Sequence, residues 1–331
     1  MQMTVDGLVI REKMLSNDNR LVTILTGEHG LVRAFVRSVK KLGGTMAAAT
    51  DLFSYSSFTL FYNKDQYSAD GAEPLRIFYH LREDLEKTSL ASYLAQLAEE
   101  LVPQGEPAPE QLKLFLNCLY LLEEDKRTVD FIKPVFELRL LTMSGYMPDL
   151  VGCQGCGEYE AEQFFFSPAT GTLLCGHCAN GMPPQGSIPL TKDQLAAMRH
   201  IIYSQANKVF QFKMTPQGLR NLGKITEVYL QAQLDRQFSS LDFYHRLRQT
   251  TLSLQQSLQK QPTTEIQEHD EIEGGCEINV PGTAVFPDPG AGKGAGEAGR
   301  AGQLRRQQTD GAGAYPFGRL QHRSGFDAEN L

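Results

Sequence analysis

Four of the six cysteines in this 331-residue chain stand in two short stretches, "CQGCG" at 153–157 and "CGHCA" at 175–179. The pattern is Cys-x2-Cys, a gap of 18 residues, then Cys-x2-Cys. No other feature restricts the local fold as tightly. Two cysteines with two residues between them turn their sulfurs toward one ion, and two such knuckles supply a tetrahedral thiolate set that suits zinc. Gly155, Gly157 and Gly176 let the backbone turn around the sulfurs and approach them with N–H groups. Between the knuckles, "EQFFFSPATGTLL" reads as a strand, a Pro/Gly turn and a second strand. That hairpin brings the knuckles together as a zinc ribbon. The expected ligands of one structural zinc are Cys153, Cys156, Cys175 and Cys178, with His177 outside the filled shell. A shell of four thiolates leaves no place for water, so such a metal braces and does not catalyse. In so short a hairpin the metal supplies much of the folding energy. A redox pair is the sharper alternative, but it needs one Cys-x-x-Cys opening a helix after a strand, and both pairs here sit in Gly-rich turns.

A disulfide staple fits the chain poorly. The N-terminus "MQMTVDGLVIREK" carries charge early and has no apolar h-region, so export is not expected. A reducing compartment disfavours disulfides. No run of about 20 apolar residues is present to form a membrane helix.

The segments around the cysteines differ in period. Residues 4–62 read as strands: "RLVTILTGEHGLVRAFVRSV" is two β-rich runs about a turn at Gly27 and Gly30, and "LFSYSSFTLFY" is another. "NKDQYSADGAEP" is rich in turn formers, with "LRIFY" as a short strand after it. Several short strands close together suggest a small barrel over about 1–80. Helical spacing follows in Leu81, Leu85, Leu90, Leu94, Leu97 and Leu101, then in Leu112, Phe115, Leu116, Leu119 and Leu122. A third helix runs from near Thr128 to Gly145, a residue suited to a C-terminal cap. Pro134 lies in its first two turns and argues for a later start. After the cysteines, Thr191 and Gln194 form a capping box, and Thr215 with Pro216 opens the next helix. A last short helix is expected around "LDFYHRLRQ". From about 255 the sequence is rich in Gly, Ala and Pro without a period, and a disordered tail is expected over 255–331, with Cys276 a bystander. The resulting class is α+β: a barrel over 1–80, a helical domain over 81–150 and 183–250, and a ribbon inserted at 151–182.

Charge is divided along the chain. The formal net charge is −7, so any contact with nucleic acid must come from local basic patches. "RAFVRSVKK" carries Arg33, Arg37, Lys40 and Lys41, and on a strand Arg33, Phe35 and Arg37 share one face. Cations flanking an aromatic can hold phosphates and stack a base; the plainer reading is a solvated edge strand with a core phenylalanine. Residues 81–130 hold 5 Lys and Arg against 11 Asp and Glu, a balance of −6, while 190–250 hold 9 against 4, a balance of +5. Arg220 and Lys224, four apart, share a helical face, and Lys208 and Lys213 precede it. Such a face can attract nucleic acid or an acidic peptide; the plainer reading of each residue is an ordinary surface lysine or arginine. No P-loop, G-x-S-x-G or H-E-x-x-H motif occurs, and the histidines have no repeated spacing, so an enzyme is not expected.

The order of parts and several stretches resemble the bacterial DNA repair protein RecO family. "VDGLVIREKMLSNDNRLVTILTGEHGLV" looks like its opening, "FELRLLTMSGYMPDLVGC" is the more specific match, "FFFSPATGTLLCGHC" is similar to its ribbon, and "LQAQLDRQFSSLDFY" resembles its terminal helix. The resemblance spans about 4–247. It implies an OB-fold for the N-terminal barrel. It also implies a recombination mediator, cytoplasmic and nucleoid-associated. Such a mediator binds single- and double-stranded DNA and anneals complementary strands. It helps load the RecA recombinase onto DNA coated by single-stranded-DNA-binding protein. The implied partners are RecR and the acidic C-terminal tail of that binding protein. The resemblance makes Arg33, Arg37, Lys40 and Lys41 candidates for DNA contact, and it adds Lys133 to Lys208, Lys213, Arg220 and Lys224 as candidates for partner contact. The chain departs from the family at Ser38, where a glycine is frequent, and in its long tail. A zinc-ribbon scaffold without DNA binding is the alternative.

Overall fold

Alternation along the first three strands gives the barrel two different surfaces. The computed structural model describes residues 2–37, 44–63 and 66–259. Strands β1 (Gln2–Met14), β2 (Arg20–Thr26) and β3 (Gly30–Val36) pair antiparallel. Val9, Ile24 and Val32 stand in register across them and fill the barrel interior. One residue along, Leu8, Leu25 and Leu31 form the next row and point outward, where they join the core of the helical region. Adjacent residues of a strand face opposite sides, so the same three strands bury both faces at this end.

Strands β4 (Ser54–Asn63) and β5 (Gln66–Ile77) close the barrel in the order β1-β2-β3-β5-β4, with β3 and β5 parallel. This is the OB arrangement, and the short helix α1 (Gly44–Ala49) between β3 and β4 sends Met46 and Ala49 into the barrel core. The turn expected over 63–74 is a correction: most of that stretch is β5. Its Gly71 and Pro74 are held in the ladder opposite Thr59 and Ser56, with register shifts beside both pairs. Bulges of this kind let turn-forming residues remain in a strand.

Helix α2 (Leu85–Leu101) is capped by Asp84, whose carboxylate accepts from the amides of Glu86 and Lys87. Helix α3 (Pro109–Glu123) starts on a proline, where no N–H is needed. Helix α4 (Val129–Met143) begins directly after Thr128 and carries Pro134 inside it, so the later start expected from that proline is not seen. Ten of its residues are buried, and packing of this extent outweighs one missing hydrogen bond. Gly145 ends it at φ +89, and Tyr146 N–H donates back to Leu141.

Strands β6 (Asp149–Cys153), β7 (Phe164–Ser167), β8 (Thr172–Cys175) and β9 (Ile188–Leu190) make a second sheet in the order β6-β8-β7-β9. Helix α5 (Lys192–Tyr203) carries the Thr191/Gln194 capping box, and α6 (Pro216–Leu234) has Thr215 accepting from the Gly218 amide. Helix α7 (Ser239–Gln259) is longer than the short helix expected there and carries regular structure past residue 255. The rest of the expected tail, 260–331, lies outside the described residues, as does Cys276.

The two halves are clipped together through the β2–β3 hairpin. Leu31 N–H donates to Pro103 O, Gly105 N–H to His29 O and Ala108 N–H to Gly27 O. Gly30 sits at φ +57, and a Cβ there would lie 2.2 Å from Pro103 O and 2.6 Å from Glu106 O. The acidic residues of α2 and α3 are largely taken up by cations from other elements: Glu99 by Arg11 and Arg33, Glu123 by Arg76, which also reaches Glu124 just past α3, and Glu86 by Arg248.

Candidate metal centre and nucleic-acid face

Cys153 ends β6 and Cys175 ends β8, two strands that lie side by side, while Cys156 and Cys178 follow in the turns. The four sulfurs all lie within 4.8 Å of one another. Cys153 and Cys175 are buried, Cys178 is half-buried and Cys156 is exposed, so the site reaches solvent at Cys156. Gly155 stands close to the cluster: a Cβ there would lie 3.1 Å from Cys178 Sγ and would crowd that sulfur.

The donor set fits a metal better than it fits disulfides. Cys156 Sγ and Cys175 Sγ are 3.7 Å apart. A disulfide needs about 2.05 Å, whereas the edge of a tetrahedron with metal–sulfur bonds of about 2.3 Å is about 3.8 Å. Amide N–H groups of Gly155 and Cys175 point at Cys153 Sγ at 3.4 and 3.2 Å, and that of Cys178 points at Cys175 Sγ at 3.4 Å. Burial raises the Cys153 thiol pKa, but the amides of Cys175, Cys156 and Gly155 outweigh it and bring it down to about 6, while the sulfurs of Cys156 and Cys175 push the Cys178 thiol up to about 12 in the absence of an ion. A thiolate is the form a metal binds. His177 is exposed and outside the cluster.

The ribbon is braced from behind. Phe166 of β7 packs edge-on against Tyr229 of α6, with ring centroids 5.3 Å apart. The Arg199 guanidinium on α5 lies 4.0 Å from the Tyr159 ring centroid and donates to the carbonyls of Leu150, Val151 and Tyr159. Sequence reading did not find Arg199 because its partners are backbone atoms some 40 or more positions away.

The second site is the outward face of β1–β3 beyond the helical contact. A register shift after Val9 turns Arg11 outward, opposite Thr23, which in turn stands opposite Arg33. The next row is Lys13, Leu21 and Phe35. Arg11, Lys13, Arg33 and Arg37 are exposed and Phe35 is half-buried. Arg33 and Phe35 therefore share a face, as their spacing predicts. Arg11 and Lys13 join them, and only strand pairing could have shown that. Lys40 and Lys41 lie outside the described residues, as does Ser38.

Among the candidates for partner contact, Lys208, Lys213, Arg220 and Lys224 are all exposed. The Lys208 backbone is held by its carbonyl, which accepts a hydrogen bond from His200 Nε2 at 2.9 Å. Arg220 donates to Gln217 and stands 3.9 Å from Asp130. Lys133 is a correction. It is 5% exposed, and its ammonium lies against Glu137, Glu227 and the Gly223 carbonyl. It is a core cation and presents no surface. Glu137 is one turn away, but the second carboxylate, Glu227, lies 94 positions off and only the fold brings it in.

Comparison with known proteins agrees with both halves of this architecture. Residues 1–78 match the family model described as Recombination protein O N terminal, and residues 82–242 match Recombination protein O C terminal. The chain is similar to the DNA repair protein RecO of Acetivibrio thermocellus, 30% identical over 241 residues that cover 73% of this chain and 95% of that protein. It is 27% identical to the DNA repair protein RecO of Alkaliphilus metalliredigens, over 75% of this chain and all of the relative. The protein of the same name from Symbiobacterium thermophilum is 29% identical, over 74% and 97%.

Proposed function

This chain belongs to the RecO family of DNA repair and recombination proteins, and from that premise we propose that it is a non-enzymatic mediator that holds DNA on the outer face of β1–β3. The observation that carries the reading is the clustering of Arg11, Lys13 and Arg33 with Phe35 on one barrel face, with Arg37 exposed just past β3, in a chain of net charge −7. Lysine and arginine neutralise backbone phosphates, and the accessible part of the half-buried Phe35 ring offers a base a surface to stack on. Lys40 and Lys41 extend this set in sequence. Neutralising two strands at once removes their mutual repulsion, which favours annealing of complementary strands.

Zinc is the metal that suits the four thiolates, and it would be held by Cys153, Cys156, Cys175 and Cys178 as a structural ion. It would supply fixed geometry to the ribbon, while the chain's own N–H groups orient the sulfurs. In this reading the barrel covers about 1–80, the helical domain 81–150 and 183–250, and the ribbon 151–182. The exposed cations Lys208, Lys213, Arg220 and Lys224 are the surface proposed for the acidic tail of single-stranded-DNA-binding protein. RecR and DNA, single- and double-stranded, complete the set of partners, and the outcome is loading of RecA in the nucleoid-bearing cytoplasm.

The test is binding of labelled single strands of several sequences across a salt series. Affinity is expected to fall steeply with salt as counterions are displaced. Arg33→Ala with Arg37→Ala is expected to weaken all sequences alike, because phosphate contacts carry no sequence information. Affinity that does not change with salt would rule the reading out.

A further inference from the structure

Arg11 and Arg33 converge on one carboxylate. Arg11 Nη1 lies 3.1 and 2.9 Å from the two oxygens of Glu99, and Arg33 Nη2 lies 3.4 Å from Oε1. The two arginines stand on β1 and β3, in one row through Thr23 of the strand between them. Glu99 comes from α2, whose C-terminal end is fixed to the β2–β3 hairpin by the bonds at Pro103, Gly105 and Ala108. The carboxylate is mostly covered, its side chain 17% exposed, while Arg11 and Arg33 are 62% and 55% exposed. The guanidinium groups thus open toward solvent with an anion behind them.

Arg11 reaches both carboxylate oxygens through the single Nη1 and Arg33 reaches one of them, and a phosphodiester would offer the same two guanidinium groups a comparable pair of anionic oxygens. We propose that Arg11 and Arg33 form a subsite for a single backbone phosphodiester, and that Glu99 occupies it in the free protein. The inference rests on the DNA-binding reading above and adds Arg11 to it. With Glu99 ionised, two arginines and one carboxylate leave a net charge of +1 on the subsite. Without that carboxylate the charge is +2. The Glu99 side chain therefore competes with the strand and sets how strongly this row grips it. The other reading of the same contacts is an ion bridge that only fastens α2 to the barrel, and the two predict opposite results.

The experiment measures anisotropy of a fluorescein-labelled oligo-dT strand at low salt, with thermal denaturation of each variant alongside. Glu99→Gln is expected to lower the dissociation constant about three-fold, the scale of a partly exposed ion pair. The gain should shrink as salt is added. Glu99→Asp, which keeps the charge on a shorter arm, should fall between the two. In an Arg11→Ala/Arg33→Ala background Glu99→Gln should change nothing. Glu83→Gln, the same change of net charge at a 74% exposed side chain elsewhere, should also change nothing. Unchanged or weaker binding by the folded Glu99 variants would overturn Glu99 as the occupant, and unchanged binding by Arg11→Ala, with Lys13→Ala still weakening it, would overturn the subsite and leave the DNA-binding reading intact. No binding by the unaltered protein would overturn both.

Discussion

Lys133 and Glu137 stand one turn apart on α4 and close a 2.8 Å ion pair whose side chains are 6% and 0% exposed. Each remaining polar end has a partner. Glu137 accepts from Tyr93 Oη and Thr226 Oγ1, both at 2.6 Å, and Lys133 reaches Glu227 at 2.9 Å. Glu227 in turn takes the His245 Nε2 at 2.9 Å. Burial works against the Lys133 charge, but the two carboxylates overcome it and hold its pKa above the ordinary lysine value. The network ties α2, α4, α6 and α7 at one point.

Lys133→Met is therefore expected to destabilise the protein by about 3–5 kcal/mol, because it leaves Glu137 and Glu227 without their cation. Urea unfolding followed by circular dichroism measures this. A variant of unchanged stability that lost only partner binding would place Lys133 at an interface instead.

Glu227 gives the network a pH dependence. Burial raises its pKa, but the hydrogen bond from His245 and the charge and hydrogen bond of Lys133 bring it from 4.5 down to about 2. A depressed carboxyl contributes stability above its unfolded pKa and loses it as the proton binds in the folded state. The contribution should be complete above about pH 5 and vanish progressively toward pH 2, and it is on the order of 3 kcal/mol at most. Unfolding free energies measured between pH 6 and 3 should fall less steeply for Glu227→Gln than for the unaltered chain.

Gly30 is the backbone equivalent of that network. Gly30→Ala would require a positive φ of an L residue and would place a methyl group against Pro103 O and Glu106 O at 2.2 and 2.6 Å. A loss of at least about 2 kcal/mol is expected. The β2–β3 hairpin should loosen with it, which amide hydrogen exchange at Leu31 and Ala108 would report as faster exchange.

Local signals in the sequence were legible where neighbours decide the structure. The Thr191/Gln194 capping box, Thr215 with Pro216, and the Gly145 stop all depend on residues within one turn, and all three occur. The cysteine spacing likewise fixes a cluster that needs only a hairpin to close. What sequence could not give depends on distant pairing. Strand β5 was hidden because Gly71 and Pro74 read as turn residues, and only pairing with β4 holds them extended. Arg11 joined Arg33 through a register shift, and Lys133 turned inward because Glu227 waits 94 positions away. Glu137, four positions on, is legible as a pair for Lys133, but the burial of that pair depends on α2, α6 and α7 closing over it.

The metal centre should behave as a brace for the helical region. Phe166 and Leu173 of the ribbon are 0% and 1% exposed and belong to the same apolar core as Leu222 and Tyr229 of α6. Releasing the metal frees the thiolates to repel or protonate, and the strands that present these side chains lose their fixed ends. Elemental analysis should find one zinc per chain. Its removal by a chelator, or Cys175→Ala, should lower the melting temperature by about 5–10 °C. Cys118→Ala is the control, because Cys118 is buried in α3 outside the cluster and its loss should leave the metal bound. DNA affinity measured below the new melting temperature should remain, since the cations on β1 and β3 do not depend on the ribbon for their position. Loss of DNA binding in a metal-free chain that stays folded would mean instead that the ribbon itself touches the strand.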